Sequence, residues 1–214
     1  MVELFRKSSA VLVLLLLTFS VFAESELKAG EGYERLVPAQ NTQDPTKIEV
    51  IEFFWYGCPH CFHFEPNISE WAKNLPADVQ FIRQPAIFSK KWVAHARAYF
   101  TAEALDIVDE VHEDLFDAIQ KKRLPLQSEK ELAKFFAAHG IDEAKFKEAY
   151  DSFVVATKMR QAQTMAARYG ISGVPAVIIN GKYKTSGSLA KSYDNVIKVM
   201  NRLIDRERKG LAKK

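Results

Sequence analysis

The stretch Phe53-Phe54-Trp55-Tyr56-Gly57-Cys58-Pro59-His60-Cys61 contains both cysteines of a 214-residue chain, and it marks a change of secondary structure. Ile48 to Trp55 is an apolar, aromatic-rich run that predicts a buried strand, Gly57 interrupts it, and Phe62 to Leu75 reads as a helix. The two sulfurs therefore fall where a strand gives way to the first turn of a helix. Their i, i+3 spacing sets them on one helical face, within bonding reach of each other. Cys58 lies at the end where unpaired backbone N–H groups point outward.

That position has a chemical consequence. The thiolate is the attacking form in disulfide exchange, and the partial positive charge of a helix start favours it, so the Cys58 pKa is expected to be depressed. Pro59 suits the first helical turn, where no donor is needed and its φ is preset. A protonated His60 adds a second positive influence beside the sulfur. A disulfide carries no such charge, so each unit by which the thiolate pKa falls below ambient pH stabilises the dithiol by about 1.4 kcal/mol. In a two-electron couple that is roughly 30 mV toward a stronger oxidant. The expectation is a disulfide donor.

The chain is 48% hydrophobic with 30 basic and 27 acidic residues, enough for one sizeable core with an elaboration rather than two independent domains. A formal charge of +3, dispersed along the sequence, gives no argument for nucleic acid. The basic cluster Arg202 to Lys214 is interrupted by Asp205 and Glu207 and reads as a solvated helix end. Met1 to Ala23 joins a charged start, Arg6 and Lys7, to an apolar stretch from Ala10 to Phe22 and a small-residue site at Val21-Phe22-Ala23. This predicts an export signal cleaved after Ala23. The apolar run is shorter than the roughly 20 residues of a spanning helix and is broken by Thr18 and Ser20. No cysteine stands near residue 23 to carry a lipid. In an oxidising compartment a structural bridge between Cys58 and Cys61 is conceivable, but one closing so short a loop restrains the unfolded chain little. Catalysis explains the spacing better.

Before the cysteines, Tyr33 to Val37 predicts a short strand and Asn41 to Pro45 a turn. Ile48 to Trp55 is apolar on both faces, the mark of a central strand, and Glu52 is its anomaly. The helix ends before Pro76, and Val79 to Ile82 reads as the next strand, stopped by Pro85. Strand, helix and strand in this order make a βαβ unit with a right-handed crossover, which puts the cysteine turn at the carboxyl end of a central strand. From Lys90 to Tyr169 the periodicity is helical. Val93, Ala96, Phe100 and Ala104 mark one helix, and Val108, Val111, Leu115 and Ile119 a second. Ser128 and Glu131 form a capping box that opens a third through Leu132, Phe135 and Phe136 to Gly140. Phe146, Tyr150 and Phe153 mark a fourth; Met159, Ala162, Met165 and Tyr169 continue it or form a further helix. Ala176 to Ile179 is an apolar strand, Asn180-Gly181 a hairpin signal, and Lys182 to Thr185 the returning edge strand. Ser188 is read as the cap of a last helix with Tyr193, Val196, Ile197, Met200 and Ile204 as its buried stripe.

The set formed by Cys58-Pro59-His60-Cys61 after a Glu-Phe-Phe strand, a long helical insert, and Gly173-Val174-Pro175-Ala176 leading into an Asn-Gly-Lys-Tyr hairpin resembles the DsbA family of bacterial thiol:disulfide oxidoreductases. The resemblance covers nearly all of residues 26 to 205. It implies an α/β, thioredoxin-like fold with an inserted helical domain: a thioredoxin-like domain over 24–88 and 171–214, a helical insert over 89–170, and the signal over 1–23. It further implies that Cys58 is the nucleophile and Cys61 the buried resolving thiol, with Pro59 and His60 between them as part of the centre. Val174-Pro175 matches the family's cis-proline loop, where Pro175 offers no N–H and the backbone at Val174 can pair with an extended substrate strand. Glu52 matches a buried acid that moves protons for the resolving cysteine. Arg83 stands where a lysine is expected; an arginine stays charged and can pair bidentately, holding Glu52 ionised. Glu65 matches a further acid of the site.

By the same resemblance the chain is a periplasmic monomer that passes its Cys58–Cys61 disulfide to reduced, newly exported polypeptides and is reoxidised by a membrane, quinone-linked partner of the DsbB type. No organic cofactor is required, because the cysteine pair is the redox centre. Other readings carry less. A zinc site needs about four ligands, and His60 or His63 beside two cysteines has no second pair to join. Covalent haem needs histidine directly after Cys61, where Phe62 stands. His63, His95, His112 and His139 read as surface or satisfied core residues, and Trp55, Trp71 and Trp92 as core or groove-lining aromatics. A reductase or isomerase, and a non-catalytic peptide-binding chaperone with a static disulfide, remain as alternatives; the segment ahead of the first strong strand is too short for the dimerisation domain an isomerase of that compartment carries.

Overall fold

The structure, a computed structural model, describes residues 28–211, so the export signal read at Met1 to Ala23 lies outside the described residues. Five strands form one sheet: β1 (Glu34–Arg35), β2 (Ile48–Phe54), β3 (Val79–Pro85), β4 (Ala176–Ile179) and β5 (Tyr183–Thr185). Helix α1 (Pro59–Lys73) links β2 to β3. Between β3 and β4 run α2 (Lys90–Ala104), α3 (Val108–Gln120), α4 (Glu129–Ala138), α5 (Glu143–Tyr150) and α6 (Phe153–Arg168), and after β5 come α7 (Gly187–Ala190) and α8 (Tyr193–Leu211).

The strand order is β1-β5-β4-β2-β3. β2 pairs parallel with β3 and antiparallel with β4, so the strand that leads to the cysteines is central, and all seven of its residues are buried. Its alternation fills two layers. Ile48 and Val50 join Phe64 and Ile68 of α1 and Val196, Met200 and Leu203 of α8; Ile51 and Phe53 face Ala166, Tyr169 and Ile178. Each fully buried side chain of this size contributes roughly 1.5–3 kcal/mol. Phe54 leaves that layer and packs with Tyr56, Cys58 and Cys61 against Phe100, Leu115 and Phe116 of the helical block. The cysteine turn is thus the joint between sheet and helices.

Several sequence expectations shift. The hairpin strand β5 is not the edge; β1 pairs outside it, Glu34 opposite Lys184, so the edge passes to a strand of only two residues. β3 continues past Ile82 to Pro85, tolerated because this is the other edge and proline's missing donor faces no partner strand. α1 starts at Pro59, three residues before the apolar periodicity, because proline is preset for the first helical position. The stripe through Phe146, Tyr150 and Phe153 is two helices: the Ser152 hydroxyl accepts from Val155 N at 3.2 Å and opens α6, leaving Phe153 78% exposed. Ser188 lies inside α7; Ser192 caps the last helix, accepting from Asn195 N at 3.1 Å. Nor is the basic tail wholly solvated: Arg208 pairs with Asp78 at 2.6 Å, and the buried Glu207 carboxylate collects the side chains of Asn180, Lys182 and Tyr183.

Candidate active site: the cysteine turn and the buried acids beneath it

After Phe54 the chain turns through Trp55, Tyr56 and Gly57. Cys58 N donates to Trp55 O at 2.9 Å, and Cys58 takes the N-cap position with extended dihedrals, its carbonyl accepting from Phe62 N at 3.1 Å. No side chain caps this helix, so the first-turn N–H groups are free to face the Cys58 sulfur. Gly57 is required by space: a Cβ there would lie 2.2 Å from the Trp55 ring. That ring stacks on Trp92, centroids 4.2 Å apart and nearly parallel, which fixes the turn against α2.

Both cysteines are thiols in this structure, Cys58 at 8% exposure and Cys61 fully buried. Their environments pull the two apart. The Cys61 S–H donates to the Cys58 sulfur, and this is the largest influence lowering the Cys58 pKa to about 6. Burial works against it, and the backbone N–H groups of Cys61 and His60 and the charge of His60 add to the lowering. Cys61 is pushed far above the ordinary thiol range by burial, by its hydrogen bond to Cys58 and by the Cys58 charge. The helix start thus acts as the sequence predicts, but second to the partner thiol.

Across the turn lies the Val174-Pro175 loop. That peptide bond is cis, as is Val37-Pro38, and the Cys58 S–H donates to the Val174 carbonyl at 3.4 Å. Pro59 and His60 are exposed, and the His60 carbonyl accepts from the Tyr193 hydroxyl of α8 at 3.0 Å.

Glu52 is fully buried in β2, in register with Arg83 of β3. The bidentate pairing expected from an arginine is absent. Arg83 Nε is 3.8 Å from Glu52 Oε2, and neither Glu52 oxygen has a hydrogen-bond partner. Arg83 turns its Nη2 to Glu65 Oε1 at 2.8 Å and to Ser69 Oγ at 2.6 Å. The Ser69 hydroxyl also donates to Glu65. On the far side His112 Nε2 stands 3.3 Å from Glu65 Oε2, without the alignment of a good hydrogen bond, and its Nδ1 is 2.7 Å from the Tyr56 hydroxyl. Tyr56 donating to Nδ1 leaves the proton on Nε2, facing Glu65.

One guanidinium therefore serves two acids, and Glu65 receives it. Burial alone would raise Glu65, but His112, Arg83 and Ser69 more than offset it and hold the carboxyl at about 2. Burial and the Glu65 charge push Glu52 up to about 8, with Arg83 opposing too weakly to prevent it. Glu52 is consequently protonated at neutral pH, the reverse of the sequence expectation. Burial also keeps His112 below the ordinary imidazole value, the Glu65 carboxylate opposing in part. The sequence reads His112 as a surface or satisfied core residue and singles out neither Tyr56 nor Ser69, whereas the structure sets His112 and Ser69 against Glu65 and Tyr56 against His112. The one signal for His112 is a polar residue beside the apolar stripe Val111 and Leu115 of α3. Among the described residues no three His, Cys, Asp or Glu side chains converge as metal ligands do.

A sheet of this topology, with a C-x-x-C pair at the start of the helix after its central strand and a cis-proline loop against the first sulfur, defines a thioredoxin-type protein that exchanges thiols and disulfides. The profile of the DSBA-like thioredoxin domain matches residues 68–198. The thiol:disulfide interchange protein DsbA of Azotobacter vinelandii is 44% identical over 184 residues, 86% of this chain and 86% of that protein. That of Pseudomonas syringae pv. tomato is 39% identical and covers 94% of each. The crystal structure of Pseudomonas aeruginosa DsbA superposes with a TM-score of 0.83 at 40% identity, covering 88% of this chain and 97% of that one. The chain belongs to the DsbA family and is a protein thiol:disulfide oxidoreductase.

Proposed function

We propose that this chain runs in the oxidising direction, as a disulfide donor to reduced, unfolded exported polypeptides. A substrate thiolate attacks Cys58 Sγ of the oxidised pair. The Sγ–Sγ bond breaks, and Cys61 leaves with the electron pair and takes up a proton. A second substrate thiolate then attacks the substrate sulfur of the mixed disulfide and expels Cys58. Two electrons pass from substrate to the cysteines; at neutral pH one proton stays on Cys61 and the other goes to solvent.

The observation that carries the direction is the split between the thiols, Cys58 near 6 and Cys61 far higher. At pH 7 the expelled Cys58 is mostly thiolate, which favours the reduced form by about 1.4 kcal/mol, roughly 30 mV, over a pair with ordinary thiols. The pair itself carries both electrons, so the reaction calls for no organic cofactor and no metal. Binding draws on the loop at Val174. In the oxidised pair and in the mixed disulfide Cys58 carries no S–H, so the Val174 carbonyl that the Cys58 thiol faces at 3.4 Å in the reduced form is free to accept an N–H from an extended substrate strand. The reading includes export to the periplasm with cleavage after Ala23, a monomeric working form, and reoxidation by a membrane, quinone-linked partner of the DsbB type.

The test is the equilibrium of the mature protein with glutathione, following the Cys58–Cys61 disulfide. The expected potential lies above about −200 mV; a value near the −270 mV or so of thioredoxin overturns the donor reading. Cys58→Ser separates catalysis from passive peptide binding, since a donor loses all oxidase activity and a chaperone with a static bridge keeps its function.

A further inference from the structure

A groove of about 780 Å³ leads away from the active site, with His60, Val174 and Pro175 on its near wall and β5, α7 and the start of α8 on its far wall. Hydroxyls line it at Ser172, Ser186, Ser188 and Ser192. Its charged groups are unequal. Glu34 and Lys184 face each other across the β1–β5 pair with their charges 2.9 Å apart, and so cancel. Lys191 is exposed, and among the described residues no carboxylate pairs with it. The nearest acid in sequence, Asp194, is bound to Asn67 of α1 at 2.8 Å.

The backbone at Lys191 gives a second, independent observation. Lys191 closes α7 at φ +69°, the left-handed region where glycine or asparagine is the ordinary occupant and a lysine is strained. The turn is fixed around it: Asn195 Nδ2 donates to Ala190 O at 3.0 Å, and Ser192 caps α8. A strained residue held by its surroundings at the rim of a site is the pattern expected of a functional position.

We propose that this groove selects cysteine-bearing segments with an acidic side chain close to the reacting cysteine, and that Lys191 is the specificity-determining residue. The inference rests on the disulfide-donor reading above. An extended segment bonded to Cys58 and running along Val174 advances about 3.3 Å per residue, with alternate side chains on one face, so the neighbours of its cysteine lie over the groove. There a carboxylate meets one uncompensated ammonium and a row of hydroxyls. A lysine meets like charge.

The experiment mixes the oxidised mature protein with three otherwise identical peptides bearing one cysteine flanked by Glu, Gln or Lys. It follows the second-order rate at which the peptide thiolate opens the Cys58–Cys61 disulfide, forming the mixed disulfide at Cys58 and expelling Cys61; this step is the transfer compared among the peptides. The Glu peptide is expected to exceed the Lys peptide by about threefold to fivefold at low salt, as for exposed charges. The ratio should fall to about one near 1 M salt, where screening acts within about 3 Å. Lys191→Asn and Lys191→Asp both tolerate the left-handed backbone; the first should abolish the ratio and the second invert it. Because the readout is a ratio within each variant, a partial loss of folded protein cancels. Glu34→Gln, which frees Lys184, should widen the ratio. Equal rates for the three peptides, or a ratio untouched by Lys191→Asp, overturn the groove's selectivity while disulfide transfer continues. Absence of transfer to any of them overturns the donor reading and the proposal with it.

Discussion

Cys58 and Cys61 are one helical turn apart and chemically opposite, one poised as thiolate at neutral pH and the other held as thiol. Because the Cys61 S–H is the largest influence on Cys58, replacing it should be felt at the other sulfur. In Cys61→Ala the Cys58 titration, followed by thiolate absorbance, is expected to rise from about 6 by about one unit, the worth of a hydrogen bond to a charge. An unmoved titration would assign control to the helix backbone and His60 alone. The same split fixes the proton count of the couple. Below the Cys58 pKa two protons accompany two electrons; above it only one does, since Cys61 stays protonated. The potential should therefore fall by about 60 mV per pH unit below pH 6 or so and by about 30 mV above it. A uniform slope through that range would contradict the thiolate assignment. Residue types made this much legible, because a cysteine pair and a Val-Pro dipeptide announce their chemistry in the sequence. Ser69 and His112, which meet at Glu65, are brought there by the packing of α1 and α3. Nothing local records that contact, and the reading of Glu52 as ionised failed with it.

Among the elements, what the sequence conveys is governed by how local the deciding interaction is. The Ser128–Glu131 capping box lies within four residues and was legible; it is present with both reciprocal bonds. The break at Ser152 was hidden because Phe146, Tyr150 and Phe153 keep helical spacing across it. Ser152→Ala is expected to cost about 1 kcal/mol, seen as a lower unfolding midpoint, since it orphans the Val155 N–H. The position of β5 inside the sheet was hidden for a different reason: it depends on β1, more than a hundred residues earlier. The hairpin turn records that packing. Gly181 has φ +64°, and a Cβ there would lie 2.1 Å from the Gln40 carbonyl oxygen, whereas Gly170 at φ +61° has open space around its Cβ position. Gly170→Ala should cost roughly 1 kcal/mol, the left-handed penalty alone, and Gly181→Ala considerably more, because backbone must move. Equal losses in urea denaturation would mean that the Gln40 segment yields without cost.

Over the whole molecule, the two buried acids pull stability in opposite directions along the pH scale. Glu65 is held near 2 in the folded state, so its contribution is complete above its unfolded pKa near 4.5 and is lost as pH falls toward 2. Glu52 has a folded pKa near 8. The unfolded chain releases its proton near 4.5 while the folded chain keeps it, so the unfolded state gains on the folded one as pH rises between those values, and the penalty is complete above about 8. Glutamine is a neutral stand-in for the protonated acid and removes that penalty. Glu52→Gln should therefore stabilise the reduced protein against urea, hardly at all at pH 4, by on the order of 3 kcal/mol at pH 7, and by about one more at pH 8 before levelling off. A pH-independent difference would mean that Glu52 is ionised throughout and paired with Arg83 after all. The parent protein tolerates the penalty at a position close to its redox pair, where the charge of an ionised Glu52 would raise the Cys61 pKa further. A buried carboxyl poised near 8 can exchange its proton in the range where the cysteines exchange theirs, which a carboxyl firmly ionised by Arg83 could not do.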